Sequence, residues 1–127
     1  MRRRALLLAL AGSALPAFAS LPPGERERIE QLLAGLEGES GLQFERNGRR
    51  ASARDAVRFL RAKWQRYGEG VDSAEAFIDR IASRSSTTGG PYRVCPEGAG
   101  CEDAGPWLKR RLARLAGIEP TTLGFGA

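Results

Sequence analysis

Three consecutive arginines, Arg2, Arg3 and Arg4, lead straight into a largely apolar run from Ala5 to Leu15. This opening constrains the fold more than any other feature, because a basic n-region followed by a short apolar stretch reads as an export signal rather than as part of a domain. A membrane-spanning helix needs roughly 20 apolar residues, and this run is too short for that. Pro16 breaks any helix, and Ala17-Phe18-Ala19 supplies the small-x-small site that a signal peptidase cuts. The expectation is a signal peptide over residues 1–19, cleavage after Ala19 and a periplasmic mature protein. An uncleaved N-terminal anchor is the alternative. No Cys follows the apolar run, so lipid attachment at a new N-terminus is not expected.

The mature chain, Ser20 to Ala127, would hold 108 residues. That suffices for one modest core, and a single globular domain over 20–116 with a loose tail over 117–127 is predicted. The whole chain carries 20 basic and 15 acidic residues, a formal charge of +5. Without Arg2, Arg3 and Arg4 it falls to +2, so the basic balance is largely an export signal. With export expected, a nucleic-acid partner is not. Lys63 and Lys109 are the only lysines, and the abundance of Arg reads as compositional bias rather than as a sign of function.

Hydrophobic spacing divides the mature chain into elements. Ile29, Leu32, Leu33 and Leu36 mark a helix over about Gly24 to Glu37. Leu42 and Phe44 alternate with polar neighbours, Asn47-Gly48 is a tight-turn dipeptide, and Arg49 to Ala51 returns as a second strand. Ser52, with Asp55 three residues on, looks like an N-cap. Val57, Leu60, Trp64 and Tyr67 form the buried stripe of the helix it starts, which Gly68 ends. A start signal at Asp72 to Glu75 opens a further helix with Phe77, Ile78, Ile81 and Ala82 inward. Ser83 to Gly90 is a hydroxyl-rich loop, Tyr92 to Cys95 a strand, and Pro106 fits the first turn of a last helix with Trp107, Leu108, Leu112 and Leu115 facing in. The order is helix, hairpin, two helices, strand, helix: an α+β domain of about four helices with a small antiparallel sheet. An all-α bundle with short extended segments is the alternative.

Phe44-x-Arg46-Asn47-Gly48, Leu60-Arg61-x-Lys63-Trp64, Phe77-Ile78-x-x-Ile81-Ala82-Ser83-Arg84-Ser85-Ser86, Gly90-Pro91-Tyr92 and Trp107-Leu108 together resemble a bacterial family of small exported proteins known only as a domain of unknown function. The Ala82-Ser83-Arg84-Ser85-Ser86 block before Pro91-Tyr92 is the most specific part. Members of that family often carry a His where this chain has Phe59. The resemblance implies a periplasmic location and supplies no catalytic residues.

The chemistry open to the chain is narrow. It contains no His, which excludes Ser-His-Asp and Cys-His hydrolysis and the usual His-containing zinc sites. Neither Lys sits in a Ser-x-x-Lys frame, and no phosphate loop or dinucleotide fingerprint is present. No cofactor and no metal are expected. Glu37, Glu39 and Glu45 are the candidates for a carboxylate pair cutting a glycosidic bond; as solvated surface acids they need no such role.

Two segments offer binding chemistry. Arg84 with Ser85, Ser86 and Thr87, followed by Thr88-Gly89-Gly90, can cradle a phosphate or carboxylate; the competing reading is a capped helix end and an ordinary loop. Arg46 to Arg66 holds eight basic residues and one acid, Asp55. Arg54, Arg58 and Arg61 fall on one helix side, a patch suited to an anionic envelope component or a protein partner or, equally, a solvated face. Trp64 and Trp107 lie on apolar stripes and read as core. Cys95 and Cys101, the only cysteines, are expected to form a disulfide in an oxidising compartment; the intervening Pro96-Glu97-Gly98-Ala99-Gly100 lets the chain fold back to the roughly 4.4–6.8 Å Cα spacing the bond needs. The function read from these features is a non-enzymatic periplasmic binding or accessory domain. The alternative is a small cell-wall glycan hydrolase using a carboxylate pair.

Overall fold

The computed structural model of the protein describes residues 21–117. The expected signal segment, the cleavage position and the tail beyond Gly117 lie outside the described residues.

Leu32, Leu33 and Leu36 recur at helical spacing and are fully buried in α1 (Pro23–Glu37), with Ile29 one turn earlier. Pro23 opens this helix at its first position, where a missing N–H costs nothing. Asn47 and Gly48 both take positive φ, 52° and 81°, which matches the twist of a tight hairpin. They join β1 (Leu42–Arg46) to β2 (Arg49–Ser52), with Phe44 opposite Ala51. Ser52 caps α2 (Ala53–Tyr67): its Oγ accepts the Asp55 amide at 3.1 Å. Ser73 likewise caps a short α3 (Ala74–Phe77) through the Ala76 amide at 3.0 Å. That helix widens directly into a π turn, Ile78–Ala82, closed by Ser83 Oγ donating to the Ile78 carbonyl at 2.6 Å. The chain then enters β3 (Arg93–Pro96), β4 (Glu102–Asp103) and α4 (Ala104–Leu115).

The four strands form one antiparallel sheet in the order β2-β1-β3-β4. With four helices this is the α+β architecture the sequence implies. Leu42, Phe44 and Val94 point into the core, where they join Val57, Leu60, Phe77, Ile78, Ile81, Leu108 and Leu112. Fully burying each such side chain stabilises the fold by about 1.5–3 kcal/mol. Trp64 is part of this core, its ring edge-on to Phe77 with centroids 5.2 Å apart. Trp107 only leans on the core, with the Arg111 guanidinium 4.6 Å over its ring.

Three sequence expectations need correction. Tyr67 is 54% exposed and Leu115 45% exposed, because each lies at the last residue of its helix, where the element has run past the edge of the core. β4 was not expected at all: Glu102 and Asp103 are polar and pair with Val94 and Arg93 only because the Cys95–Cys101 turn delivers them there. That register continues to place Cys95 opposite Cys101, and their sulfurs lie at disulfide distance, 2.15 Å. Their Cα atoms are 4.1 Å apart, slightly closer than the expected range.

Candidate functional site

The hairpin turn, the middle of α2 and the segment after the π turn meet on one side of the domain. Arg46 stands at the end of β1. Phe59, Lys63 and Arg66 fall at i, i+4 and i+7 on α2, one above another on one face. Tyr92 is fixed just before β3 by its backbone, its amide donating to the Ser83 carbonyl at 2.9 Å and its carbonyl accepting the Ala104 amide at 2.8 Å. Between them lies a cleft of about 250 Å³ to which Ser85, Ser86 and Thr87 add hydroxyls.

Lys63 is the unusual residue. It sits on the inward face of α2 among Val57, Leu60 and Trp64 and is only 6% exposed. Its Nζ donates to the Arg84 carbonyl at 2.8 Å and to Tyr92 Oη at 2.9 Å. Burial pushes its ammonium below its ordinary value, and the nearby positive charge of Arg46 lowers it further. Burial also pushes the Tyr92 phenol up, partly offset by Arg46. The Arg46 guanidinium stacks 4.2 Å from the Phe59 ring centroid, and Phe59 meets Tyr92 edge-on at 6.1 Å. Arg66 donates to Tyr67 Oη at 3.1 Å. Among the ion pairs of the described residues, none involves Arg46, Lys63 or Arg66. Three cations therefore line one concave, hydroxyl-bearing surface without a carboxylate to neutralise them.

The hydroxyl loop is ordered by its own bonds. Ser85, 4% exposed, accepts the Thr87 and Thr88 amides at 3.2 Å each through its Oγ. Thr88 Oγ1 donates to Asn47 Oδ1 at 2.7 Å and accepts the Gly90 amide at 3.1 Å. These amides are thus turned into the loop, and the loop is pinned to the β1–β2 turn. Ser85, Ser86 and Thr87 border the cleft. Arg84 contributes its carbonyl to Lys63 while its side chain is exposed.

The helix-face arginines go elsewhere. Arg58 pairs with Asp55 at 3.3 Å and Arg61 with Glu30 of α1 at 2.6 Å. Arg54 is exposed, and none of the three lines the cleft. The candidate carboxylates are also dispersed. Glu39 pairs with Arg111 at 2.6 Å, Glu45 lies 4.0 Å from Arg93, and Glu37 is exposed at the end of α1. The cleft cations Arg46, Lys63 and Arg66 were not singled out by sequence reasoning. One signal was present: Lys63 occupies an apolar phase of α2, three residues after Leu60, where a solvated Lys does not belong.

A second cavity of about 280 Å³ adjoins the cleft and shares Arg46, Phe59 and Tyr92 with it. Its floor includes Phe44, Ala56 and Leu60, all buried.

Fold and site together define a small α+β domain built around a cationic, hydroxyl-lined cleft. A family model described as "Family of unknown function (DUF5329)" matches residues 23–116, and the chain belongs to that family. The chain is similar to the Uncharacterized protein YfeK of Salmonella typhimurium, 42% identical over 78 residues. That match covers 61% of this chain and 65% of the relative, so less than two thirds of the relative's length is spanned. No solved structure matches the chain. The motifs that carried the resemblance contain Arg46, Lys63, Ser85, Ser86 and Tyr92, and all five border the cleft.

Proposed function

We propose that the protein is a non-enzymatic, exported binding domain whose cleft takes an anionic group, a phosphate or a carboxylate. The observation that carries this reading is the convergence of Arg46, Lys63 and Arg66 on one cleft without an ion-pair partner. Like charges held together in a partly dehydrated concavity repel one another, and an anion placed there turns that repulsion into attraction. The hydroxyls of Ser86, Thr87 and Tyr92 supply neutral donors around it, which fix orientation without adding charge. Export rests on the Arg2–Arg4 segment, the short apolar run and the site at Ala17-Phe18-Ala19; the cysteine pair at disulfide distance is compatible with an oxidising compartment.

The test is calorimetric titration of the domain with inorganic phosphate at two ionic strengths. Binding weakens as salt rises, because the cleft is open to solvent and its field is screened. Arg46→Gln and Lys63→Met each weaken binding about tenfold or more, the loss of a charge-assisted hydrogen bond of roughly 1.5–3 kcal/mol. A triple change of Arg54, Arg58 and Arg61 to Gln leaves it nearly intact. The reverse pattern places the anion on the outer helix face and refutes the reading.

A further inference from the structure

The cleft and the adjoining cavity are two halves of one site. Arg46, Phe59 and Tyr92 line both, so these three side chains are common to a cationic basin and to one with an apolar floor. On the cleft side stand Lys63, Arg66 and the hydroxyl loop. Beyond Phe59 the walls are Phe44, Ala51, Ala56 and Leu60. At about 280 and 250 Å³, each basin is near the lower end of the roughly 300–1,000 Å³ usual for small-molecule sites. Together they suit one ligand of moderate size.

Resting on the anion-binding reading above, we propose that the ligand is a single-chain anionic amphiphile: a phosphate or carboxylate head in the cleft and one alkyl chain in the apolar cavity. The difference between the two linings sets its direction. The cleft offers three cations and no carboxylate. The cavity carries Glu45 and Asp55 at its border beside Arg49 and Arg50, with Asp55 paired to Arg58 and Glu45 near Arg93. Arg49 and Arg50 also border the cavity, so the direction comes from what lies beneath: the cavity floor of Phe44, Ala56 and Leu60 has only hydrophobic contact to offer, whereas the cleft faces an anion with cations and hydroxyls. Arg46, whose guanidinium lies 4.2 Å over the Phe59 ring, borders both basins and stands where head and tail would meet.

The experiment is a titration series with inorganic phosphate, then hexyl, octyl and decyl phosphate below their aggregation limits, on the full folded domain. Each methylene that enters the cavity tightens binding about fourfold, until the cavity is full and the series levels off. Ala51→Trp, on β2 at the edge of the cavity, flattens the series, so that each alkyl phosphate binds this variant no more tightly than inorganic phosphate does. Ala56→Leu is the second variant should the first fail to fold, and it shortens the series instead of abolishing it. Decyl phosphate binding no tighter than inorganic phosphate overturns the amphiphile and leaves the anion cleft standing. Absence of binding by every member of the series overturns both. Binding to anionic vesicles without binding of monomeric alkyl phosphate also overturns the proposal, since the site would then be a membrane contact rather than a chain-holding pocket. An unchanged series in both cavity variants places the tail elsewhere and refutes it too.

Discussion

Replacing Gly68 with Ala, set against the same change at Gly35, tests whether the α2 terminus holds the site rigidly. Gly68 follows the last turn of α2 with φ −84°, a conformation any residue adopts, so backbone strain is not the issue. Space is: a Cβ there would lie 2.3 Å from the Trp64 carbonyl oxygen and 2.6 Å from Trp64 Cδ1. Neither can retreat easily. The carbonyl belongs to the helix, and the ring is wedged against Phe77. Overpacking of this kind costs about 1–3 kcal/mol, reduced by the roughly 0.4–1 kcal/mol that Ala gains by restricting the unfolded chain. Gly35 lies on the exposed side of α1 and nothing stands within 4 Å of its would-be Cβ. There only the helix propensity acts, a gain of about 0.5–1 kcal/mol. The two substitutions therefore move stability in opposite directions. A change of 1 kcal/mol shifts the melting temperature of a domain this size by about 4–8 °C. Urea unfolding followed by circular dichroism, with equal m-values required, reads both. Gly68→Ala as stable as the unmodified protein would mean that Trp64 is not clamped, and the rigid placement of Lys63 beside it would lose its basis.

Lys63 and Tyr92 make stability depend on alkaline pH with opposite signs. Below its ordinary value of 10.5 the unfolded chain keeps a proton that native Lys63, with its lowered pKa, gives up first, so stability rises with pH in that window. Lys63→Met flattens the rise, and urea midpoints across the alkaline range show it; an unchanged slope rejects the assignment. The raised Tyr92 phenol acts above its ordinary value of 10.0, where the unfolded phenol ionises first and stability falls, a fall that Tyr92→Phe removes. Cys95 and Cys101 close a short loop, worth about 2 kcal/mol on the chain-entropy model. The double Cys→Ser variant should therefore remain folded with a lowered urea midpoint; complete loss of structure would show the pair to be more than a local staple.

The sequence made the elements legible and the site only half so, and the reason lies in the range of the interactions. Helix phase is a local property: Ile29, Leu32, Leu33 and Leu36 declare a buried stripe whatever surrounds them, and Asn47-Gly48 declares a turn by its own tolerance of positive φ. The periodicity does not say where a helix outruns the core, and so Tyr67 and Leu115, each in correct phase, emerge into solvent. Charge is harder still. Arg58 and Arg61 look like one basic strip along α2, but Asp55 holds the first and Glu30 on another helix holds the second. The opposite holds for Lys63, whose position in the apolar phase of α2 could be read as an error of pattern until Tyr92, 29 residues on, and the Arg84 carbonyl arrive to solvate it. A polar residue in a buried phase calls for partners somewhere in the chain, and here the partners, the Arg84 carbonyl and Tyr92, come from the Ser-Arg-Ser-Ser and Pro-Tyr segments that carried the resemblance. The loop bonds give the small hydroxyls of these segments a structural use. Ser85 satisfies the amides of Thr87 and Thr88, and Thr88 ties Asn47 to the loop, so the residues that looked like an anion cradle build the wall against which the buried cation is held. Ser85 and Thr88 act by what they position, which leaves Ser86 and Thr87 to border the cleft.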